Sequence, residues 1–227
     1  MEYSHTILAT FLKRPNRFLA VCMVNGRETL CHIKNTGRCQ ELLIPGATVI
    51  LEHAKHPGRK TDFSLIAVYK ESMLVNLDSQ APNQAAYEWI LESGFFPGLS
   101  RLKREVTHGT SRFDLYAEYG DEKAFLEVKG CTLEKDGTAL FPDAPTQRGV
   151  RHLMELEECV KEGFQAFLLM IIQMKPVKEF CPNRQTHPQF ADALIHASSH
   201  GVHLLAFDCR VTPNSMTIDC PVPIHLC

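Results

Sequence analysis

Short runs rich in β-branched and aromatic residues, broken by polar turns, fill the first 80 positions. They predict strands at His5–Leu12, Arg17–Val24, Thr29–Ile33, Ala47–His53, Phe63–Tyr69 and Ser72–Leu77. Asn25-Gly26, between the second and third runs, is a strong hairpin signal because both residues accept the positive φ of a tight turn. Around Gln80-Ala81-Pro82-Asn83 the spacing of apolar positions lengthens to that of a helix. Ala85, Ala86, Trp89, Ile90 and Ser93 form its stripe, Pro82 suits its first turn and Gly94 its end. Strand-like runs follow at Leu102–Thr107, Arg112–Glu118 and Ala124–Gly130. A helix from Thr146 to Glu162, an apolar strand from Phe164 to Gln173, a helix from Gln189 to Ser199 and a strand from Val202 to Cys209 complete the order.

This order divides the chain into a β-rich unit, 1–80, and a helix–strand unit, 81–227. Five or six strands in the first unit, with a short helical turn around Gln40–Leu43, suit a small barrel of the oligonucleotide-binding (OB) kind, and other small barrels fit nearly as well. In the second unit a wholly apolar strand directly after a helix points to a buried place in a mixed sheet covered on both faces. Trp89, the lone tryptophan, is assigned to core packing rather than base stacking because of the area it buries.

Composition narrows the class further. With 227 residues, 44% of them hydrophobic, the chain can bury a sizeable core. Its longest apolar stretch, Phe164 to Ile172, is too short for a bilayer span, and the N-terminus lacks the charged start and apolar block of a secretory signal. Nine cysteines, an odd number with no Cys-x-x-Cys pair, fit buried thiols in a reducing cytoplasm. The net charge of −2 conceals an asymmetry: ten Lys/Arg against seven Asp/Glu (+3) over 1–80, and fourteen against nineteen (−5) over 81–227. The basic half permits nucleic-acid binding without demanding it. No glycine-rich phosphate cradle is present, so ATP and NAD are not expected.

The candidate chemistry centres on Glu127-Val128-Lys129. In a strand, the period of two sends Ala124, Leu126 and Val128 to one face, read as core, and Phe125, Glu127 and Lys129 to the other, read as a site. Asp114 lies thirteen positions earlier in another strand, and Gly120-Asp121-Glu122 supplies the turn between them. Antiparallel neighbours would bring Asp114 near Glu127 and Lys129. Two carboxylates can hold a hard divalent cation through oxygen while an ammonium orients or helps deprotonate a water, a combination suited to phosphodiester hydrolysis. The bland alternative is a solvated face with a cheap ion pair. Asp121-Glu122-Lys123 has the same acid-x-Lys form but sits in the turn.

Other segments carry weaker signals. Asn35-Thr36-Gly37-Arg38 offers a flexible glycine, small polar side chains and a guanidinium for phosphate oxygens, and reads equally as an ordinary turn. Lys13-Arg14 with Arg17, and Lys55 to Lys60, are basic clusters, usually solvated. Gln147, Arg148, Arg151 and His152 open a helix, with Arg148 and His152 on one face and a salt bridge to Glu155 as the bland reading. His196 and His200 have zinc-like spacing but no evident third ligand.

Asp114, Glu127 and Lys129, on this order of elements, resemble the PD-(D/E)xK nuclease fold. Asn35-Thr36-Gly37-Arg38, Ser111-Arg112-Phe113-Asp114, Glu127-Val128-Lys129, Phe141-Pro142-Asp143-Ala144-Pro145-Thr146 with Arg148-Gly149, and Gly201-Val202 with Ala206-Phe207-Asp208-Cys209 resemble the sugar fermentation stimulation protein family over nearly the whole chain. The resemblance implies an OB-like domain, 1–80, joined to a nuclease-like α/β domain, 81–227, that binds DNA. It ties the chain to a bacterial family named for maltose metabolism and regarded as DNA-binding regulators. Phe113 stands where the superfamily often has proline. A helper acid often joins the trio, and Glu105 is the candidate, with pairing to Arg104 or Arg112 as its alternative. The resulting expectation is a Mg²⁺ or Mn²⁺ site of Asp114, Glu127 and Glu105 with Lys129. Nucleic acid would meet Arg17, Asn35, Thr36, Arg38, Arg112 and Arg148. DNA is the expected partner, its strandedness and any homodimer left open. A non-catalytic DNA-binding regulator and a protein-interaction module are the competing readings.

Overall fold

The computed structural model describes residues 1–35, 37–54 and 60–226. Strands β1 (Thr6–Asn16), β2 (Leu19–Val24), β3 (Arg27–Ile33), β4 (Thr48–His53) and β5 (Phe63–Lys70) pair in the order β3-β2-β1-β4-β5. Parallel pairing of β3 with β5, from Cys31 opposite Phe63 to Ile33 opposite Leu65, closes them into the five-stranded OB barrel. Closure leaves no bare edge among these strands, and alternate side chains such as Ala20, Cys22 and Val24 fill the interior. Asn25 and Gly26 both take positive φ in the turn between β2 and β3. The short helical turn expected at Gln40–Leu43 is a single hydrogen-bonded turn that does not extend into a helix. The Leu42 and Leu43 amides bond to the Cys39 carbonyl, and both leucines pack into the barrel core. Strand β6 (Met73–Asn76) pairs with β5 and leads out of the barrel.

The α/β unit comprises α1 (Ala81–Ser93), β7 (Leu99–His108), β8 (Ser111–Tyr119), β9 (Glu122–Cys131), β10 (Leu133–Lys135), β11 (Thr138–Phe141), α2 (Gln147–Lys161), β12 (Gln165–Ile172), β13 (Glu179–Pro182), α3 (Pro188–Ser199), β14 (His203–Thr212) and β15 (Ser215–Pro221). Its mixed sheet runs β15-β14-β12-β9-β8-β7, with β9, β12 and β14 parallel. Strands β10, β11 and β13 form a separate small sheet. These three and β15 went unanticipated; the three or four residues of β10, β11 and β13 are too few for alternation to register.

Both sheet faces are covered. Helix α1 packs on Leu115, Ala117, Ala124, Leu126 and Val128, while α2 and α3 lie over Phe113, Phe125, Leu168 and Met170. Strand β12, flanked by strands and covered on both faces, is buried from Ala166 to Ile172. The expectation that Phe125 shares a functional face needs correction: its ring packs on Phe113, Tyr116 and Phe164, so only the Glu127–Lys129 end of that face is polar. Trp89 packs against the rings of Phe95 and Phe207. Helix α1 ends on Gly94 in the left-handed conformation.

The two units are tied by a buried amide. Gln173 Nε2 donates to the Asn76 carbonyl (3.0 Å), Asn76 Oδ1 (3.1 Å) and the Asp78 carbonyl (3.2 Å). The first residues run back to the α/β unit, where the Met1 amine bonds to the Met216 carbonyl. All eight described cysteines are free thiols, six of them buried. Among the described residues no helix is long and apolar enough to cross a membrane.

Candidate active site

The site forms where β8 and β9 part. Their antiparallel ladder runs from Tyr119 opposite Glu122 to Leu115 opposite Leu126 and stops there, while β8 stays paired with β7 as far as Ser111. The Asp114 carboxylate fills the fork. Oδ2 accepts from the Val128 amide (2.8 Å), replacing a backbone rung, and Oδ1 accepts from Asn83 Nδ2 in the first turn of α1 (2.8 Å). Nothing in the sequence around Asn83 marked it for this role.

Glu127, only 2% exposed, projects beside α2. Its Oε1 accepts from both Lys129 Nζ and His152 Nδ1, whereas Oε2 is buried and has no hydrogen-bond partner among the described residues. Arg148 Nε donates to His152 Nε2 (3.1 Å), which leaves the ring proton on Nδ1, pointed at Glu127. Arg148 therefore acts on the site through His152, its neighbour one helical turn on. The local chain favours this placement: Thr146 caps α2 by accepting from the Gly149 amide (3.0 Å), and Gly149 lets that turn lie against Phe190.

The two carboxylates are driven apart electrostatically. Burial, then the charge of Glu127, pushes the Asp114 carboxyl above its ordinary range despite the Val128 amide, Lys129 and Asn83. Burial pushes Glu127 the same way, but the His152 hydrogen bond and the Lys129 ammonium outweigh it and hold the carboxyl below its usual range. An unpartnered buried carboxylate oxygen, with a second acid on the neighbouring strand, offers the oxygen donors that suit a hard divalent cation.

Glu105 lies between the pairs Arg104–Leu115 and Val106–Phe113, hence across from Asp114 on β7. Its φ of +54° is left-handed backbone, uncommon inside a strand. The carboxylate, 64% exposed, is turned toward Arg112 (2.5 Å), the pairing foreseen as its alternative. Glu105 and Asp114 line one cleft of about 620 Å³ between the two units. Across it, Lys34 Nζ holds the buried acids Glu52 (3.2 Å) and Asp78 (2.9 Å).

The remaining predicted contacts lie elsewhere. Asn35 borders a second cleft of about 370 Å³ with Gly37, Gly130, Asp143 and Thr146. Arg14 anchors this loop, its guanidinium donating to the carbonyls of Gly37 (2.9 Å), Arg38 (2.6 Å), Arg17 (2.9 Å) and Asn35 (3.0 Å). It is a buttress rather than the solvated charge its cluster suggested. A Cβ on Gly37 would meet Asp143 Oδ2 at 2.8 Å, so glycine permits the close approach. Arg38 is exposed, and Arg17 stacks over the exposed ring of Phe18 (4.7 Å) on the barrel. Thr36 lies outside the described residues, as do Lys55 to Arg59.

Comparison with known proteins places this geometry in context. The family profile described as "Sugar fermentation stimulation protein RE domain" matches residues 80–215, and "SfsA N-terminal OB domain" matches residues 12–77. A sugar fermentation stimulation protein homolog of Desulfitobacterium hafniense (strain Y51) is 53% identical over 216 residues, 95% of this chain and 94% of its own. One from Clostridium beijerinckii is 48% identical over 218 residues, 96% of each chain. A solved structure described as "The structure of Pyrococcus Furiosus SfsA in complex with Ca2+" matches with a TM-score of 0.89 at 27% identity, over 99% of this chain and 98% of that one.

Proposed function

The chain belongs to the sugar fermentation stimulation protein family, and on that premise we propose that it binds DNA and hydrolyses phosphodiester bonds at the fork between β8 and β9. The observation that carries this reading is the buried, unpartnered Oε2 of Glu127. An unsatisfied buried polar group costs about 1–3 kcal/mol, more when charged, and a bound cation offsets that cost. Asp114 and Glu127 would hold Mg²⁺ or Mn²⁺, joined by Glu105 when it leaves Arg112. When bound, such an ion polarises a phosphoryl oxygen and lowers the pKa of water. The Pyrococcus relative is described in complex with Ca²⁺, another hard cation that prefers oxygen ligands, which supports a divalent-cation site in this chain.

The chain's own residues supply the rest. Lys129, held beside Glu127, orients the attacking water and balances charge developing on the phosphate. His152 and Arg148 keep Glu127 facing the fork. Arg112 and the exposed Arg38 offer guanidinium groups to phosphate oxygens, and the barrel holds the strand. Asp114 followed by Glu127-Val128-Lys129 on neighbouring strands of a mixed sheet resembles the PD-(D/E)xK plan, which supports this reading. DNA binding without cleavage is the second reading, favoured by the Lys129–Glu127 ion pair, which already occupies the ammonium.

Incubating the purified protein with labelled single- and double-stranded DNA, in Mg²⁺, Mn²⁺ or chelator, separates the readings. Cleavage that needs the metal and disappears in Asp114→Asn and Lys129→Met supports the nuclease. Salt-dependent binding that leaves DNA intact supports the regulator, and no salt-dependent binding rejects both.

A further inference from the structure

We propose a second metal site, selective for a zinc-like transition-metal ion, formed by Glu157 on α2 with His196 and His200 at the end of α3. The two histidines stand four residues apart, and the fold adds from another helix the third ligand that their own neighbourhood lacks. One donor atom from each of the three lies within 4.8 Å of the others. His196 Nδ1 is 3.0 Å from Glu157 Oε1, close to the roughly 3.3 Å that separates two ligands around a tetrahedral ion with bonds near 2.0–2.1 Å. A metal would replace the proton now shared there.

Two features prepare the cluster, and one must change on binding. Glu157 is buried, so its carboxylate is already fixed, and among the described residues its hydrogen bond is to His196. His200 Nδ1 lies 2.8 Å from the His196 carbonyl, which directs its ring proton to backbone and leaves Nε2 free to bind metal. That second hydrogen bond is the one that orients metal-binding histidines generally. The imidazoles are stacked, centroids 4.0 Å apart and planes 16° from parallel, so one ring must turn out of the stack for both in-plane lone pairs to meet at one ion.

Two imidazoles and one carboxylate favour Zn²⁺ over Mg²⁺, opposite to the all-oxygen set at Asp114 and Glu127. The contrast with Asp208, Asp219 and Cys220 is instructive. There the Lys175 ammonium already sits among the donors, 2.7 Å from Asp219 and 3.3 Å from Cys220, so a cation is already in place. An ion at Glu157, His196 and His200 would cross-link α3 to α2, the helix whose opening turns carry Arg148 and His152.

The test is titration of the metal-free full-length protein with ZnCl₂ in excess Mg²⁺, by calorimetry, with thermal unfolding as a second readout. Losing an outer hydrogen-bond partner of a metal ligand lowers affinity about 10–100-fold, and losing a ligand should cost no less. One Zn²⁺ per chain is expected, with affinity falling by at least that factor in His196→Ala and His200→Ala while Asp114→Asn binds as wild type. Zinc should raise the unfolding temperature of wild type and not of His200→Ala. Both histidines are exposed, so the variants should fold, and circular dichroism verifies it. Unchanged affinity in both histidine variants, or a Co²⁺ complex with thiolate charge-transfer absorption, overturns the site.

Discussion

Replacing His152 with alanine removes the imidazole N–H that donates to the buried Glu127 carboxylate. The charge-assisted hydrogen bond is worth about 1.5–3 kcal/mol, and the void left by the imidazole adds to the loss. Lys129, 17% exposed, can still neutralise Oε1, which limits the damage. The expected destabilisation is about 2–4 kcal/mol at pH 7 without metal, or about 5–15 °C in Tm for a chain this size. Urea unfolding followed by circular dichroism in chelator measures it. A double-mutant cycle with Glu127→Gln isolates the pair, and its coupling should be about 1.5–3 kcal/mol. Divalent cation should stabilise wild type more than His152→Ala, because the alanine leaves Glu127 free to turn away from the fork. A coupling under about 0.5 kcal/mol, or a His152→Ala variant as stable as wild type, would refute the account of His152 as the group that positions Glu127.

The other expectations concern charge, packing and the loop after β3. The folded Glu127 carboxyl lies below its ordinary value of about 4.3, so its contribution is complete above that value and is lost as pH falls through the depressed folded one. Glu127→Gln should flatten this acid limb of urea midpoints. Asp114 has the opposite sign: its raised folded value means stability declines as pH climbs from about 3.9 through that value, and Asp114→Asn should remove the decline. At Gly130 a Cβ would sit 2.3 Å from Gln173 Oε1 and 2.7 Å from Pro82 Cγ, both side chains buried. Gly130→Ala should therefore cost about 2–5 kcal/mol from overpacking and a displaced buried amide, most of it recovered against a Gln173→Ala background; full additivity would contradict the clash. Arg14→Ala should raise amide exchange at Asn35, Gly37 and Arg38 and weaken DNA binding more than Lys13→Ala does. Equal effects would mean that Arg14 acts only through its charge.

Much of the fold was legible because its signals are local. Asn25-Gly26 marks its hairpin, Pro82 and Gly94 bracket α1, and the apolar run from Ala166 to Ile172, directly after a helix, points to a strand hidden on both sides. The short strands of the small sheet escaped because each is stabilised by its partner rather than by its own pattern: β11 pairs with β13 across some forty residues of chain. Phe125 misled for a related reason. Period two says which residues share a face, but a helix from elsewhere decides how far that face is covered.

The candidate site divides along the same line. Asp114, Glu127 and Lys129 could be singled out from the sequence as acids and an ammonium on strand-like runs, since alternation and turn chemistry act over a few residues. Their setting came from packing. Asn83 reaches Asp114 from a helix thirty-one residues away, His152 reaches Glu127 across twenty-five, and Glu157 meets His196 across thirty-nine. Side-chain periodicity carries no information about such distances. Whether a carboxylate oxygen ends up with or without a donor depends on which helix is laid over it, and only the folded chain decides that.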